Sequence, residues 1–310
     1  MTPGLIERLE AAGEGSREPF RIKGPALVSF SGGRSSAYML WRIIQAHGGT
    51  LPDDVIVAFA NTGKEKEATL RFVYECGARW GVNIVWVEFV TDLKSVGPEG
   101  RIRVVGFNSA SRNGEPLDRL IARKQALFST LRGRWCTERA KVQTLIDYME
   151  TLGQRPGEFT EVIGFRADEY DRVVELPLKK RNVDHRFAFP LAKAGIRKAD
   201  VEAFWWGPGC TYESNEQPQG FDLLLPKGTG NCDHCPFLSE KTRIARARLD
   251  PEGLFWWKDH ETARNFAFGR MSFADIEQHI ADNPLLIPVA EIDDEEPDTE
   301  CVGWCPAGAA

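Results

Sequence analysis

The 310-residue sequence contains no apolar run that reaches the roughly 18 residues needed to cross a bilayer. It does not open on a basic flank followed by an apolar stretch, so no secretory signal is expected and a cytoplasmic location is. It shows no internal repeat. The spacing and the Gly-Lys-Ser/Thr ending of a Walker A loop are absent, and so is the dinucleotide Gly-x-Gly-x-x-Gly. The stretch 291–310 has no Lys or Arg but seven acids: Glu291, Asp293, Asp294, Glu295, Glu296, Asp298 and Glu300. Setting those seven aside turns a formal net charge of −6 into +1 for residues 1–290. The body is therefore near neutral, with a tail expected to be disordered. Such a body exerts no global pull on nucleic acid, which leaves only a local basic groove for that partner.

What is present is an ordinary globular composition, 42% hydrophobic and 27% charged. Seven cysteines in a reducing compartment point to metal or thiol chemistry rather than to disulfides. Cys76 is the exception: it shares an amphipathic helix face with Leu70, Phe72, Val73 and Trp80 and reads as a buried structural thiol. Apolar strands at Ala26–Phe30, Val55–Ala60, Asn83–Phe89 and Phe159–Phe165 alternate with helical patterns. Those helices are expected at Glu67–Trp80, Pro116–Leu131 and Thr137–Leu152. The alternation predicts a parallel sheet buried on both faces, an α/β core that takes ligands at its carboxyl edge. An N-terminal helix is expected within 1–20, the α/β domain over 21–196, and a smaller helical, cysteine-bearing unit over 197–290. The helices of that unit are Arg197–Trp206, Ser239–Leu249, Glu252–Arg264 and Ser272–Ala281.

Ser31-Gly32-Gly33-Arg34-Ser35-Ser36 joins the first strand to a helix. Glycines permit a tight turn and close backbone approach, the helix start offers unpaired N–H groups, and the serines add hydroxyl donors. The bland alternative is a common capped turn between strand and helix. Cys232-x-x-Cys235 sets two thiolates for one metal, with Cys136 and Cys210 as candidate partners; structural zinc, a redox disulfide and an iron–sulfur cluster all remain open. His47, His185, His260 and His279 lack partners at ligand spacing, and His234 reads as a spacer inside the cysteine turn.

The glycine-serine loop resembles the pyrophosphate loop of the adenine nucleotide α-hydrolase-like superfamily. Asn61-Thr62-Gly63 with Glu67 to Leu70, Arg134-Trp135-Cys136-Thr137 with Lys141, and Gly164-Phe165-Arg166-Ala167-Asp168-Glu169 with Arg172 follow in that superfamily's order. With Gly230 to Cys235, these are most similar to phosphoadenosine phosphosulfate (PAPS) reductase family proteins of the phage and plasmid type, over about residues 26–240. The resemblance implies a Rossmann-like core in which Ser31, Gly32, Gly33, Arg34, Ser35 and Ser36 hold phosphates beside Thr62 and Gly63. It implies that Arg166 and Arg172 face an anionic substrate, while Lys141 and Arg34 neutralise developing pyrophosphate charge. Ion pairs with Asp168, Glu169 or Asp171 are the bland alternative for the two arginines.

It also implies a [4Fe-4S] cluster on Cys136, Cys232 and Cys235, with Cys210 as fourth ligand or an open iron. Cluster-bearing reductases of this kind carry a double cysteine where this chain has Trp135-Cys136. The favoured expectation is cleavage of ATP, with Mg2+, to AMP and pyrophosphate, activating a substrate for sulfur transfer or removal. A sulfur donor or thiol reductant protein would then be a partner. A sulfonucleotide reductase acting on PAPS or its unphosphorylated analogue APS is the alternative, with Glu300-Cys301 echoing a tail thiol and Cys305 following. A third is a non-catalytic protein that binds nucleotide or nucleic acid. Lys179-Lys180-Arg181 would meet a polyanionic acceptor if there is one.

Overall fold

The computed structural model describes residues 18–129, 133–208, 219–225 and 232–284. The N-terminal helix expected near Gly4–Ala12 and the acidic tail lie outside them. The chain runs β1 (Ala26–Ser29), α1 (Arg34–Ala46), β2 (Val55–Asn61), α2 (Glu67–Trp80), β3 (Ile84–Phe89), α3 (Pro98–Arg101), β4 (Ile102–Val105) and α4 (Glu115–Lys124). A short α-turn, α5 (Trp135–Thr137), passes through one π-helical stretch (Glu138–Gln143) into α6 (Thr144–Thr151). Then come β5 (Thr160–Val162), α7 (Tyr170–Leu178), β6 (Arg186–Ala188), α8 (Pro190–Lys193) and α9 (Lys198–Trp206), and finally α10 (Glu240–Leu249), α11 (Leu254–Arg264) and α12 (Phe273–Asp282).

The strands form one six-stranded sheet in the order β4-β3-β2-β1-β5-β6. β1 is central because it is apolar on both faces: Ala26, Leu27 and Val28 are all buried, and it pairs in parallel with β2 on one side and β5 on the other. The expected parallel sheet is corrected at one edge. β4 runs antiparallel to β3, and its outward Arg103 and Val104 suit an edge strand with one solvated face.

One face of the sheet (Ala26, Val28, Val57, Phe59, Trp86) packs on α1, α2 and α9. The other face (Leu27, Ala58, Ala60, Val87) packs on Leu145 and Met149 of α6. Trp205 of α9 is fully buried, with its ring 5.1 Å from Phe72. α9 therefore belongs to the main core and not to the cysteine-bearing unit, which corrects the expected boundary at 197. α10, α11 and α12 share a second core with α4 and the π-helical stretch, built from Leu117, Ile121, Phe128, Ala140, Trp257, Phe268 and Phe273. None of the helices among the described residues is long and apolar enough to cross a membrane.

Candidate functional site

At the carboxyl end of β1 the loop winds around one hydroxyl. Ser36 Oγ donates to the Gly33 carbonyl at 2.9 Å, accepts from the Ser31 amide at 3.3 Å and lies 2.9 Å from Ser31 Oγ. Gly32 takes a left-handed φ of +79°, and a Cβ there would come within 2.8 Å of Thr69 Cγ2. Gly33 is the extended N-cap of α1, and the first turn of that helix carries no acid to offset its positive end.

Across β1 stands the loop that follows β5. A Cβ on Gly164 would be 3.3 Å from Ser36 Cα, so glycine lets the two loops meet. Arg166, 4% exposed, donates from Nη1 to Ser35 Oγ at 2.9 Å and from Nε to Asp168 at 3.1 Å. Its backbone amide binds Glu169 at 3.0 Å. Arg172 pairs with Glu169 and lies 4.2 Å over the Phe165 ring, yet its Nε and Nη2 are buried without a hydrogen-bond partner. Both arginines thus make the ion pairs of the bland alternative, and Arg166 also reaches the phosphate-type loop. This is the point where connections from β1 and β5 leave to opposite sides, the usual ligand crevice of open α/β sheets.

Arg34 and Lys141 each have a carboxylate partner. Arg34 makes a two-pronged pair with Asp222, 2.7 Å on each arm, and lies 4.8 Å over Trp206, which itself donates to Asp222 at 3.2 Å. Burial pushes the Asp222 carboxyl up, but the Arg34 guanidinium outweighs it and holds the acid below its ordinary range. Arg34 is thereby tied to the 219–225 segment.

Lys141 is buried at 3.0 Å from Glu65, and its Nζ lies 3.6 Å from Cys232 Sγ. Glu65 also accepts from the Thr62 amide at 2.9 Å and from the Thr62 hydroxyl at 2.8 Å. Asn61 is held by Glu88 at 2.7 Å and caps the Gly63 amide at 3.1 Å. The carboxyl end of β2 is therefore joined to the cysteine turn. Glu65 bridges Cys232 in antiparallel fashion, the Asp233 amide donates to the Lys64 carbonyl at 2.7 Å, and Lys64 pairs with Asp233 at 2.8 Å. Trp257 Nε1 donates to Asp233 at 2.9 Å, tying the turn to α11.

Cys232 and Cys235 stay together in this turn, and Cys136 is half-buried at α5 against the second core. Among the described residues no three Cys, His, Asp or Glu side chains converge as a metal-ligand set; Cys210, Cys301 and Cys305 lie outside those residues. Cys76 is fully buried and burial pushes its thiol up, as a structural cysteine requires. His185 and His260 prove to have carboxylate partners, Glu161 and Asp118. Arg181 pairs with Glu138 at 3.0 Å on the surface.

The sequence reading missed Glu65, Glu88 and Asp222. Glu65 follows Thr62 at the three-residue offset of a side-chain cap on a backbone amide, the one local signal that pointed to it. Partners for Glu88 and Asp222 lie far away in sequence.

No model of a known protein family matches the chain, and no solved structure matches it. A curated protein described as uncharacterized nin region protein ORF290, of Escherichia phage lambda, is 31% identical over 238 residues, which cover 74% of this chain and 71% of that protein.

Proposed function

We propose that this chain, which belongs to the family of the phage lambda nin region protein ORF290, binds ATP at the β1/β5 crevice and cleaves it to AMP and pyrophosphate, activating a substrate for sulfur transfer or removal. The observation that carries this reading is the junction of the two loops: Arg166 Nη1 stands 2.9 Å from Ser35 Oγ, at the N-terminus of α1. A phosphate there would accept from the loop amides and the α1 start, with a buried guanidinium beside it. The strand order supports the finer assignment to an adenine nucleotide α-hydrolase-like core.

In the reaction, an oxygen of the acceptor would attack the α-phosphorus as the bond to the bridging oxygen of pyrophosphate breaks, leaving the acceptor adenylylated; AMP would leave with that oxygen when a sulfur nucleophile displaces it. Charge grows on the leaving pyrophosphate, where fixed N–H donors stabilise it most. The two unpartnered nitrogens of Arg172 suit an anion arriving next to Phe165. Magnesium would ride on the phosphates with few protein ligands.

The cysteine turn would supply the sulfur chemistry, with Cys232 and Cys235 holding an iron–sulfur cluster alongside Cys136 and Cys210. Beside Cys232 the charges are balanced: Lys141 lies 3.6 Å from its sulfur and pairs with Glu65, whose carboxylate is 3.8 Å from the same thiol. Release of pyrophosphate from ATP by the purified protein, dependent on Mg2+, is the test. Absence of pyrophosphate at every candidate acceptor would sink the reading.

A further inference from the structure

The sheet ends on two edges, and they are charged differently. At the β4 edge each arginine of residues 101–112 is answered by acid: Arg101 by Asp147 and Glu150, Arg103 by Glu88, Arg112 by Glu67. At the β6 edge residues 179–198 hold seven Lys or Arg against one acid, Asp184, which leaves +6 with His185 neutral. Arg181 and Lys198 pair with Glu138 and Glu202. Lys180, Arg186, Lys193 and Arg197 are exposed and have no ion-pair partner among the described residues.

Backbone contacts carry this charge to the mouth of the crevice. The Ala167 amide donates to the Ile196 carbonyl at 2.8 Å, the Ala192 amide to the Phe165 carbonyl at 3.1 Å, and the Lys198 amide to Asp168 at 3.3 Å. Lys193 ends α8 and Arg197 caps α9, so both sit on the segment that packs against the Arg166 loop. The charge continues back along β6 to Arg186, level with Thr160 at the amino end of β5, and to Lys180 on the turn before it. Tyr170, 67% exposed, opens α7 two residues past Asp168. A cation on an edge strand is often only a guard against edge-to-edge pairing, and Arg186 alone would serve that end. Lys193 and Arg197 lie beyond the strand, beside the crevice, where a guard has no use. Unanswered cations along one edge of a near-neutral body fit a partner with repeated negative charge.

We propose that the β6 edge docks single-stranded nucleic acid, gripped at its phosphates by Arg186, Lys193 and Arg197, with a base stacked on Tyr170 and the strand led to the crevice. A single strand is favoured over a duplex because an unpaired base can reach both an aromatic face and a recessed site. The inference rests on the ATP reading only in making this strand the acceptor; docking itself needs no ATP.

The test uses the full-length protein without ATP and a short fluorescein-labelled oligonucleotide of mixed sequence, as DNA and as RNA, with anisotropy followed against salt. Arg186→Gln, Lys193→Gln and Arg197→Gln together should weaken binding at least about tenfold and lower the slope of log affinity on log salt by about 2, near 0.7 per lost phosphate contact. Arg71→Gln, Lys94→Gln and Arg270→Gln together remove the same charge from exposed positions elsewhere and should do neither. Tyr170→Ala should weaken binding about fivefold or more with the slope unchanged, since stacking releases no counterion. DNA and RNA should bind within a few-fold of each other, because phosphates and not sugars are held. Equal losses in the two triple variants overturn the inference, since overall charge would explain them. So does tighter binding of the matching duplex, or a preference between DNA and RNA of more than about tenfold. Binding seen only after cutting behind Ala290, and sensitive to the same three residues, would assign the edge to the acidic stretch 291–310 instead. No binding by either chain ends the inference and leaves pyrophosphate release to be judged by itself. Binding without pyrophosphate release at any acceptor sinks the ATP reading and leaves the docking edge standing.

Discussion

The two adjacent glycines of the phosphate-type loop are needed for different reasons. Gly32 holds a left-handed φ of +79° against Thr69, so Gly32→Ala should cost about 1–3 kcal/mol of stability, seen as a lower denaturant midpoint. Gly33 is extended, a conformation any residue adopts, so Gly33→Val should leave that midpoint nearly unchanged. Its side chain would stand where backbone must approach phosphate, and ATP affinity should fall at least tenfold by calorimetry; unchanged affinity would remove the loop from the site. Residue chemistry also sets a pH response. Burial pushes the Asp147 carboxyl up to about 6, against the hydrogen bond from Gln143 and the Arg101 ion pair at 3.0 Å. The folded protein then keeps a proton that the unfolded chain, with an ordinary value of about 4, has lost. This contribution to stability is full below about pH 4 and disappears as pH rises through about 6. Unfolding midpoints of wild type and Asp147→Asn should therefore shift in the variant's favour between pH 4 and 7. A shift the other way would mean that Arg101 dominates and the carboxyl is depressed. The sequence displays the loop itself, because glycine and serine choices are local. It hides Asp222, because Arg34 finds that partner 188 residues away.

Among the elements, α2 is legible to the residue at Glu67–Trp80, since its apolar face repeats cleanly and Gly81 closes it in a left-handed turn. The expected Thr137–Leu152 helix instead breaks into an α-turn, a π-helical stretch and α6. Apolar periodicity cannot reveal a single widened turn, and this one matters because it carries Lys141 into the Glu65–Cys232 contact. The expected Pro116–Leu131 helix stops at Lys124, where Gln125 turns left-handed. β4 and β6 were not legible: four and three residues long, at the sheet edges, they hold too few apolar side chains to stand out. Replacing Lys141 by Met would leave the Glu65 carboxylate buried beside a thiol and no cation, which should cost roughly 3–5 kcal/mol. Adding Glu65→Gln to Lys141→Met should return much of that loss in the same denaturation experiment. Two independent losses that simply add would show that the pair is not coupled.

At the scale of the molecule, three distant stretches meet along the carboxyl edge of one sheet: the loops after β1 and β5 form the crevice, and the cysteine turn docks on the end of β2. The alternation of strands and helices announces such an edge. Which loops touch is set by strand order, which alternation does not encode. The acidic stretch lies outside the described residues, yet its charge bears on the whole. Cutting after Ala290 removes seven acids, Cys301 and Cys305, and moves the net charge from −6 to +1. If ATP is cleaved between the loops of β1 and β5, kcat for pyrophosphate release should stay within a few-fold of the full chain. KM for the anionic nucleotide should stay level or fall at low salt, and the difference should close as salt screens it. A reductase acting through a tail thiol requires the opposite outcome, because its nucleophile would be gone. Sulfite formed from PAPS or APS by the full chain, and lost on Cys301→Ser, would overturn the pyrophosphatase reading. Retained pyrophosphate release in the truncated chain would leave the tail thiol without a place in the chemistry.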